Sequence, residues 1–248
     1  MNQSRPALDK ILFLDIETVP QTASLEELNP EMQHLWEEKF NLLKARMPEK
    51  YPVEATADFG YQNGAGIYSE FAKIVCISVG VIYIKGNEKH IRTKSFASDN
   101  EAKLLSDFAL MASNFLISSQ QYVCGHNIKE FDIPFICRRL LINGITIPSA
   151  LDVSGKKPWE TSFIDTLELW KFGDFKNYTS LKLLTAIFGI PTPKDDIDGS
   201  QVASVYYNEK DVKRISLYCE KDVVATAQVY LRMCGHDLIL PEHIEHAD

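Results

Sequence analysis

The chain has 248 residues, 45% of them hydrophobic and 24% charged, a composition typical of a globular protein with one sizeable core. It has no run of eighteen apolar residues and no basic, apolar start typical of a secretion signal, so we expect a cytoplasmic protein without membrane contact. The formal net charge of -8 argues against a broad phosphate-binding surface, because gripping nucleic acid by charge alone needs a basic footprint. Five widely spaced cysteines without a CxxC pair predict reduced core residues.

Short apolar runs predict the strands of a sheet. The first predicted strand is 11–14, which ends at Asp15. Residues 73–83 and 90–96 form a hairpin, and two further strands are 122–124 and 163–164, the last ending at Asp165. Apolar residues at helical spacing predict the helices. These are a helix after a capping box of Ser98 and Glu101, 129–143 stopped by Gly144, 180–188, a short one opening at Asp198, and 210–233. This order predicts an α/β fold around a mixed sheet.

The composition of residues 20–71 predicts an insertion between the first strand and the hairpin. Residues 24–46 are charged and helix-prone with a break at Pro30, whereas residues 47–66 hold Pro, Gly and Asn without a clear period. We therefore expect one domain over residues 1–248 that carries this insertion, either as a lid over a site or as a surface for a partner.

Acidic residues stand at three separate points of this order. Asp15 and Glu17 are two apart in a strand, so their carboxylates share a face and favour a cation between them. Tyr218 and Asp222 are four apart on a helix beside core residues, where a charged group needs a partner or a metal. Asp132 falls in the first turn of a helix. Taken singly, these are also typical of a polar turn, a solvated helix face and an acid favoured by the helix dipole.

Together the three sets resemble a known pattern, the exonuclease motifs of the DEDD superfamily in their usual order. They are Asp15-Ile16-Glu17-Thr18, Asn127 through Phe131-Asp132, and Tyr218-Cys219-Glu220-Lys221-Asp222, whose tyrosine is similar to the DEDDy branch. Residues 154–222 further resemble stand-alone bacterial proteins related to the proofreading domain of family B DNA polymerases. The segments concerned are Lys156-Lys157-Pro158-Trp159, Ile164-Asp165-Thr166, Tyr178-Thr179-Ser180-Leu181 and Pro193-Lys194-Asp195-Asp196-Ile197-Asp198-Gly199-Ser200.

The resemblance implies an RNase H-like mixed sheet flanked by helices, and metal-dependent 3'-to-5' hydrolysis of DNA, single-stranded by preference. It implies two divalent ions, Mg2+ or Mn2+, with Asp15 bridging both. Glu17 and Asp222 would complete the site of the attacking water, and Asp132 would hold the second ion. Tyr218 would orient that water rather than take its proton, since a free phenol titrates near about pH 10.

The expected substrate contacts are Asn127, Phe131 and Thr18, with Phe131 as a stacking surface. A helix cap at Asn127 and a core position for Phe131 stay open as alternatives. Asp165 is expected to cap a helix rather than to approach the metals.

Two further segments have ordinary alternatives. Lys156, Lys157 and Trp159 could steer and stack single-stranded nucleic acid, or they could form an exposed loop. Asp195, Asp196 and Asp198 lack the EF-hand pattern and predict a polar turn with a helix cap.

Two other functions stay open. An exoribonuclease of the same DEDDy branch would share these motifs, and a non-catalytic nucleic-acid-binding domain could keep the fold. All four acids and the tyrosine are present, which favours an enzyme.

Overall fold

The centre of the computed structural model, which describes residues 5–118, 120–157, 160–174, 178–191 and 197–247, is a mixed six-stranded sheet. Its strands are β1 (Ile11–Pro20), β2 (Ala72–Lys85), β3 (Glu88–Ala97), β4 (Tyr122–Gly125), β5 (Phe163–Asp165) and β6 (Ile244–Ala247). Their order is β5-β4-β1-β2-β3-β6. The strands β1, β2 and β3 are antiparallel neighbours, whereas β4 pairs parallel with β1, β5 with β4, and β6 with β3. The predicted α/β fold with a mixed sheet is confirmed.

Helices flank this sheet on both faces. They are α1 (Pro30–Arg46), α2 (Ala57–Gly64), α3 (Glu101–Phe115), α4 (Asp132–Ile142), α5 (Thr166–Lys171), α6 (Leu181–Ile187), α7 (Val202–Ser204) and α8 (Val212–Met233). Short 3-10 turns cover Leu8–Lys10, Leu25–Glu27, Ala65–Ile67 and Pro241–His243, and a π-helical turn at Val205–Glu209 continues α7. Within the described ranges, none of the helices has both the length and the apolar character that a bilayer crossing needs.

The central strand β1 contributes side chains to two cores. Its even-numbered apolar residues pack with α3 and α4, whereas Ile11 and Phe13 pack on the other face against α8. Because side chains alternate along a strand, Asp15 and Glu17 lie on the α8 face. The strand does not end at Asp15 as expected, because β2 pairs with it as far as Pro20, past an irregularity after Glu17.

The segment between β1 and β2 has an aromatic core of its own. Trp36 and Phe40 from α1 pack there with Tyr61 from α2, and all three are almost fully buried. Gly60 is needed in α2, because a Cβ there would lie 2.1 Å from a ring carbon of Phe40. Pro30 is the first residue of α1, behind an Asn29 side chain that caps the helix. That residues 1–248 form one domain stays a prediction.

Regular structure between residues 47 and 66 was not expected, yet α2 forms there. Thr56 caps it by accepting a hydrogen bond from the Phe59 backbone, and Trp36 donates its indole N–H to the carbonyl of Ala57 at 2.9 Å. The helix is therefore held by tertiary contacts, which a short window of sequence does not reveal.

The predicted capping box of α3 was wrong by two residues. Asn100, not Ser98, caps the helix by accepting from the Lys103 backbone N–H at 3.0 Å. Glu101 instead accepts hydrogen bonds from the backbone of Ile74 and the guanidinium of Arg139, so its carboxylate is occupied elsewhere.

Candidate active site

The four predicted acids come together between β1, the start of α4 and α8. A carboxylate oxygen of Asp15, one of Glu17 and the sulfur of Cys219 all lie within 4.8 Å of one another. The charges of Asp132 and Asp222 act on both Asp15 and Glu17. Glu17 and Asp132 are buried, while Asp15 and Asp222 are half-buried. Elements far apart in the chain thus bring the carboxyl groups to one place.

The pKa values of three of these carboxyls lie above their ordinary range. Burial raises the pKa of Asp15 well above its usual value, and the charges of Asp222, Asp132 and Glu17 raise it further. Burial and then Asp222 likewise raise the pKa of Glu17. Burial raises the pKa of Asp132 to about 7, although its own backbone N–H and that of Ile16 donate to the carboxylate. The acids destabilise one another's charged forms, and added positive charge would relieve this.

The side chains that α8 contributes to the site, Tyr218 and Asp222, lie at the edge of its buried face. Cys219 and Val223 are fully buried against the sheet. Tyr218 directly precedes Cys219 in the chain, and Asp222 directly precedes Val223. The Tyr218 hydroxyl and the Asp222 carboxylate are hydrogen-bonded. Burial, and then the charges of Asp222 and Glu17, raise the pKa of Tyr218 above its ordinary value. The phenol therefore keeps its proton at neutral pH.

Cys219 belongs to this site, although the sequence indicated only a reduced core residue. Its Sγ lies 3.4 Å from both the backbone oxygen and Oδ2 of Asp15. Burial, and then the neighbouring Cys76, raise the pKa of the Cys219 thiol well above its usual value, so the thiol stays protonated and donates. Its position next to Tyr218 in the third motif was the available signal.

The family of the chain follows from the segment that carries this site. Residues 67–243 match a family described as a predicted 3'-5' exonuclease related to the exonuclease domain of PolB. The chain belongs to this exonuclease family. Comparison with curated proteins gives no match. Family membership makes the protein a nuclease of the hydrolase class whose substrate is nucleic acid. Asp132, Tyr218 and Asp222 lie inside the matched range, and Asp15 and Glu17 precede it.

In this exonuclease, Asp165 fixes the loop in front of Asp132. Its carboxylate accepts hydrogen bonds from the backbone N–H groups of Asn127 at 2.9 Å and Lys129 at 3.2 Å. It also caps α5, as expected, by accepting from Leu167 and Glu168. The predicted helix from residue 129 therefore begins only at Asp132, because the preceding backbone is bonded to Asp165.

Asn127 does not cap α4. It adopts a left-handed conformation with φ 63°, and the helix follows Phe131 without a side-chain cap. The backbone oxygen of Asn127 accepts from the N–H groups of Glu130 and Phe131, which closes the turn. The cap suggested as an alternative for Asn127 is thus wrong, and its role toward substrate stays a prediction.

A cleft of about 440 Å³ opens beside the acids. One wall contains Glu17, Thr18 and Phe131, and the segment between β1 and β2 supplies another wall through residues 62–64, 66 and 67. Phe131 is half-buried, with its ring centroid 5.4 Å from that of Phe135. The Thr18 hydroxyl donates to the carbonyl of Gly66 at 2.8 Å, so this residue ties the insertion to β1.

Tyr178 stands near the acids without having been assigned a role from sequence. Its ring packs edge-on against His126 at 6.2 Å and is 66% exposed. Partial loss of solvation, and then the charges of Asp132 and Asp165, raise the pKa of its phenol. His126 is fixed in turn by Thr166 Oγ1 and the carbonyl of Thr179, each at 2.9 Å.

The remaining predicted residues lie elsewhere or outside the described ranges. Lys156 and Lys157 are exposed on their loop, whereas Trp159, Asp195 and Asp196 fall outside the described residues. Asp198 accepts hydrogen bonds from Ser200, which confirms a polar turn, but α7 begins after Gln201 and takes no cap from Asp198.

Proposed function

We propose that the chain is a DEDDy-type exonuclease that hydrolyses the 3' end of single-stranded DNA with two divalent metal ions. The observation that carries this proposal is the mutual action of the Asp15, Glu17, Asp132 and Asp222 carboxyls in one partly buried place. Oxygen donors of this kind suit Mg2+ or Mn2+. The family's relation to the exonuclease domain of PolB favours DNA over RNA.

Asp15 is the natural bridging ligand, because the charges of all three other acids act on it. Glu17 and Asp222 would share one ion with Asp15, and Asp132 would hold the other. When bound by these residues, the ions would supply positive charge to the scissile phosphate and lower the pKa of a bound water.

The protein's own groups then position the substrate and the water. Tyr218 would orient the attacking water by a hydrogen bond rather than act as the base, because burial, the largest cause of its raised pKa, does not depend on the metal. Phe131 and Thr18 line the cleft next to Glu17, where the terminal nucleotide would lie, and Asn127 would contact it from the preceding loop.

The net charge of -8 fits this arrangement. Bound cations offset the acids locally, so the protein can hold a 3' end without a basic surface, although only weakly. We infer a cytoplasmic enzyme that releases its substrate often and accepts short strands.

The test is digestion of a single-stranded DNA oligonucleotide labelled at its 5' end. We expect stepwise shortening from the 3' end that needs Mg2+ or Mn2+ and stops with a chelator. Asp15→Asn and Asp222→Asn should each lower turnover by roughly 10³-fold, because metal binding is worth several kcal/mol to the transition state. Asp107→Asn, which changes an exposed acid on α3, is the matched control and should stay active. Full activity in both site variants would overturn the proposal.

Substrate preference needs a separate experiment with DNA and RNA oligonucleotides of the same sequence in competition. We expect DNA to be shortened first. Preferred cleavage of RNA would mean that the substrate is RNA, hydrolysed by the same metal-dependent chemistry. Binding of a 3' end with no metal-dependent turnover would instead indicate a non-catalytic domain.

A further inference from the structure

A second group of metal-ligating side chains lies away from the acids, where the hairpin meets the C-terminal segment. Glu88 and His90 belong to the start of β3, and His243 ends the 3-10 turn before β6. One potential ligand atom from each of the three lies within 4.8 Å of the others. None of the three belongs to β1, α4 or α8, the elements that carry the four acids.

Within the part of the chain that the structure describes, one nitrogen of the buried His90 imidazole is left without a hydrogen bond. His90 is only 7% exposed, and its Nδ1 has no hydrogen-bond partner among the described residues. The Oε1 atom of Glu245 lies 3.7 Å from this nitrogen, beyond hydrogen-bond distance. A buried polar atom without a partner destabilises a fold, so a ligand that engages this imidazole would be favourable.

The neighbours hold the two imidazoles together. The rings of His90 and His243 stack with centroids 4.1 Å apart, and Tyr83 stacks on His90 at 5.3 Å. The His243 Nε2 lies 3.4 Å from a carboxylate oxygen of Glu88. Glu88 is exposed, so an ion could enter from the solvent side and keep a water ligand there.

We propose that Glu88, His90 and His243 form a site for a zinc-type divalent cation. Two imidazoles and one carboxylate suit Zn2+, whereas Mg2+ prefers oxygen ligands alone. Zinc ligands lie about 2.0 to 2.2 Å from the ion, so ligand atoms must approach one another to within about 4 Å. The ligand atoms lie within 4.8 Å of one another, and a bound ion would draw them together by turning the two rings out of their stack.

The bound ion would fasten the C-terminal segment to the hairpin. Within the described residues, strand β6 pairs with β3 over four positions, from Ile244 to Ala247. Side chains already add polar contacts to Glu245, from Tyr83 and from Arg92 at 2.9 Å, and to His246, from Thr93 and Glu220. Bound zinc would add a link at the start of β6 and should therefore make the detachment of β6 from β3 less favourable.

The experiment is titration of the purified protein with Zn2+ in saturating Mg2+, with bound zinc and melting temperature as readouts. Wild type should bind one zinc at this site and melt at a higher temperature with zinc. His243→Gln and Glu88→Gln should weaken this binding by about 100-fold or more and lose the shift in melting temperature, because changes even to groups that only orient metal ligands cost about 10- to 100-fold.

The control is His34→Gln, which changes an exposed histidine 3.3 Å from Glu38, and it should bind zinc like the wild type. Asp15→Asn with Asp222→Asn should also keep the zinc. Unchanged zinc affinity in both His243→Gln and Glu88→Gln would overturn the proposal. So would loss of the zinc in the Asp15 and Asp222 double variant, since the ion would then belong to the acids.

Discussion

The carboxylate of Asp165 accepts a hydrogen bond from the backbone N–H of Asn127 at 2.9 Å, across 38 positions of the chain. The bond holds Asn127 in its left-handed conformation, with φ 63°. Because the same carboxylate caps α5, it joins the ends of β4 and β5 to the loop that leads into Asp132. The position of Asp132 therefore depends on a residue that would not itself touch a metal.

Asp165→Ala should lower the free energy of unfolding by about 3 kcal/mol, because one buried and three partly buried N–H groups lose their acceptor. It should also raise the Mg2+ concentration needed for half-maximal activity. Asp165→Asn keeps one oxygen acceptor and should be less affected. Chemical denaturation and a Mg2+ titration of activity measure the two effects.

Asp152→Ala is the matched control, since Asp152 makes a similar turn with Ser154 at an exposed position. It should change the free energy of unfolding by less than about 0.5 kcal/mol. Equal effects of the two alanine substitutions would mean that Asp165 does not hold the loop.

The acids should make the metal-free protein less stable as pH rises. The pKa of Asp132 is raised from 3.8 to about 7, so the folded state binds this proton more tightly than the unfolded state. The associated stability is fully present below about pH 4 and is lost as pH rises through about 7. Asp15 and Glu17 shift in the same direction. The free energy of unfolding, measured in the presence of a chelator, should therefore decrease as pH rises from about 4 to about 7.

Asp132→Asn should flatten part of this pH dependence, because an amide carries no charge. Saturating Mg2+ should stabilise the wild type more at pH 8 than at pH 5, since the metal binds the deprotonated carboxylates. Stability that increases with pH in the chelator would contradict the raised pKa values.

Tyr218→Phe should lower turnover by about 10- to 100-fold without changing the shape of the pH profile of activity. Burial is the largest cause of the raised pKa of the wild-type phenol and persists when metal is bound, so we expect the phenol to keep its proton. The variant therefore loses a hydrogen bond that orients water and not a titrating base. Initial rates between about pH 6 and pH 9 measure this.

Tyr207→Phe is a suitable comparison, since it removes another half-buried hydroxyl, one that donates to the carbonyl of Pro20. It should leave turnover near the wild-type value. A wild-type rate that climbs with pH, together with a flat profile in Tyr218→Phe, would instead make the tyrosinate a base.

Local sequence was sufficient where an element depends on its own pattern. The spacing of two in a strand predicted that Asp15 and Glu17 share a face, and the helix predicted over 210–233 matches α8 to within two residues at its start. The order of the three motifs indicated that the acids would meet, and the described residues do bring them together.

Local sequence was insufficient where an element depends on distant partners. The four residues of β6 include only two apolar ones, Ile244 and Ala247, and they form a strand because β3 offers them a free edge. The contact of Cys219 with Asp15 joins residues 204 positions apart, so no short window could reveal it. The bonds from Asp165 to the loop before Asp132 have the same cause.

The cleft beside Glu17 leads to a prediction about the insertion. Phe131 lies on the wall next to the acids, and Ile67 from the insertion lines the same cleft with its side chain 55% exposed. A terminal base stacked on Phe131 would contact Ile67 as well, so Phe131→Ala should raise the KM for DNA by about 10- to 100-fold, since base stacking is worth about 1 to 3 kcal/mol. Ile67→Ala should raise KM by a smaller factor and leave kcat nearly unchanged. Leu110→Ala, an exposed apolar residue on α3, is the control. A fall in kcat without a change in KM for either cleft variant would mean that the cleft does not hold the terminal nucleotide.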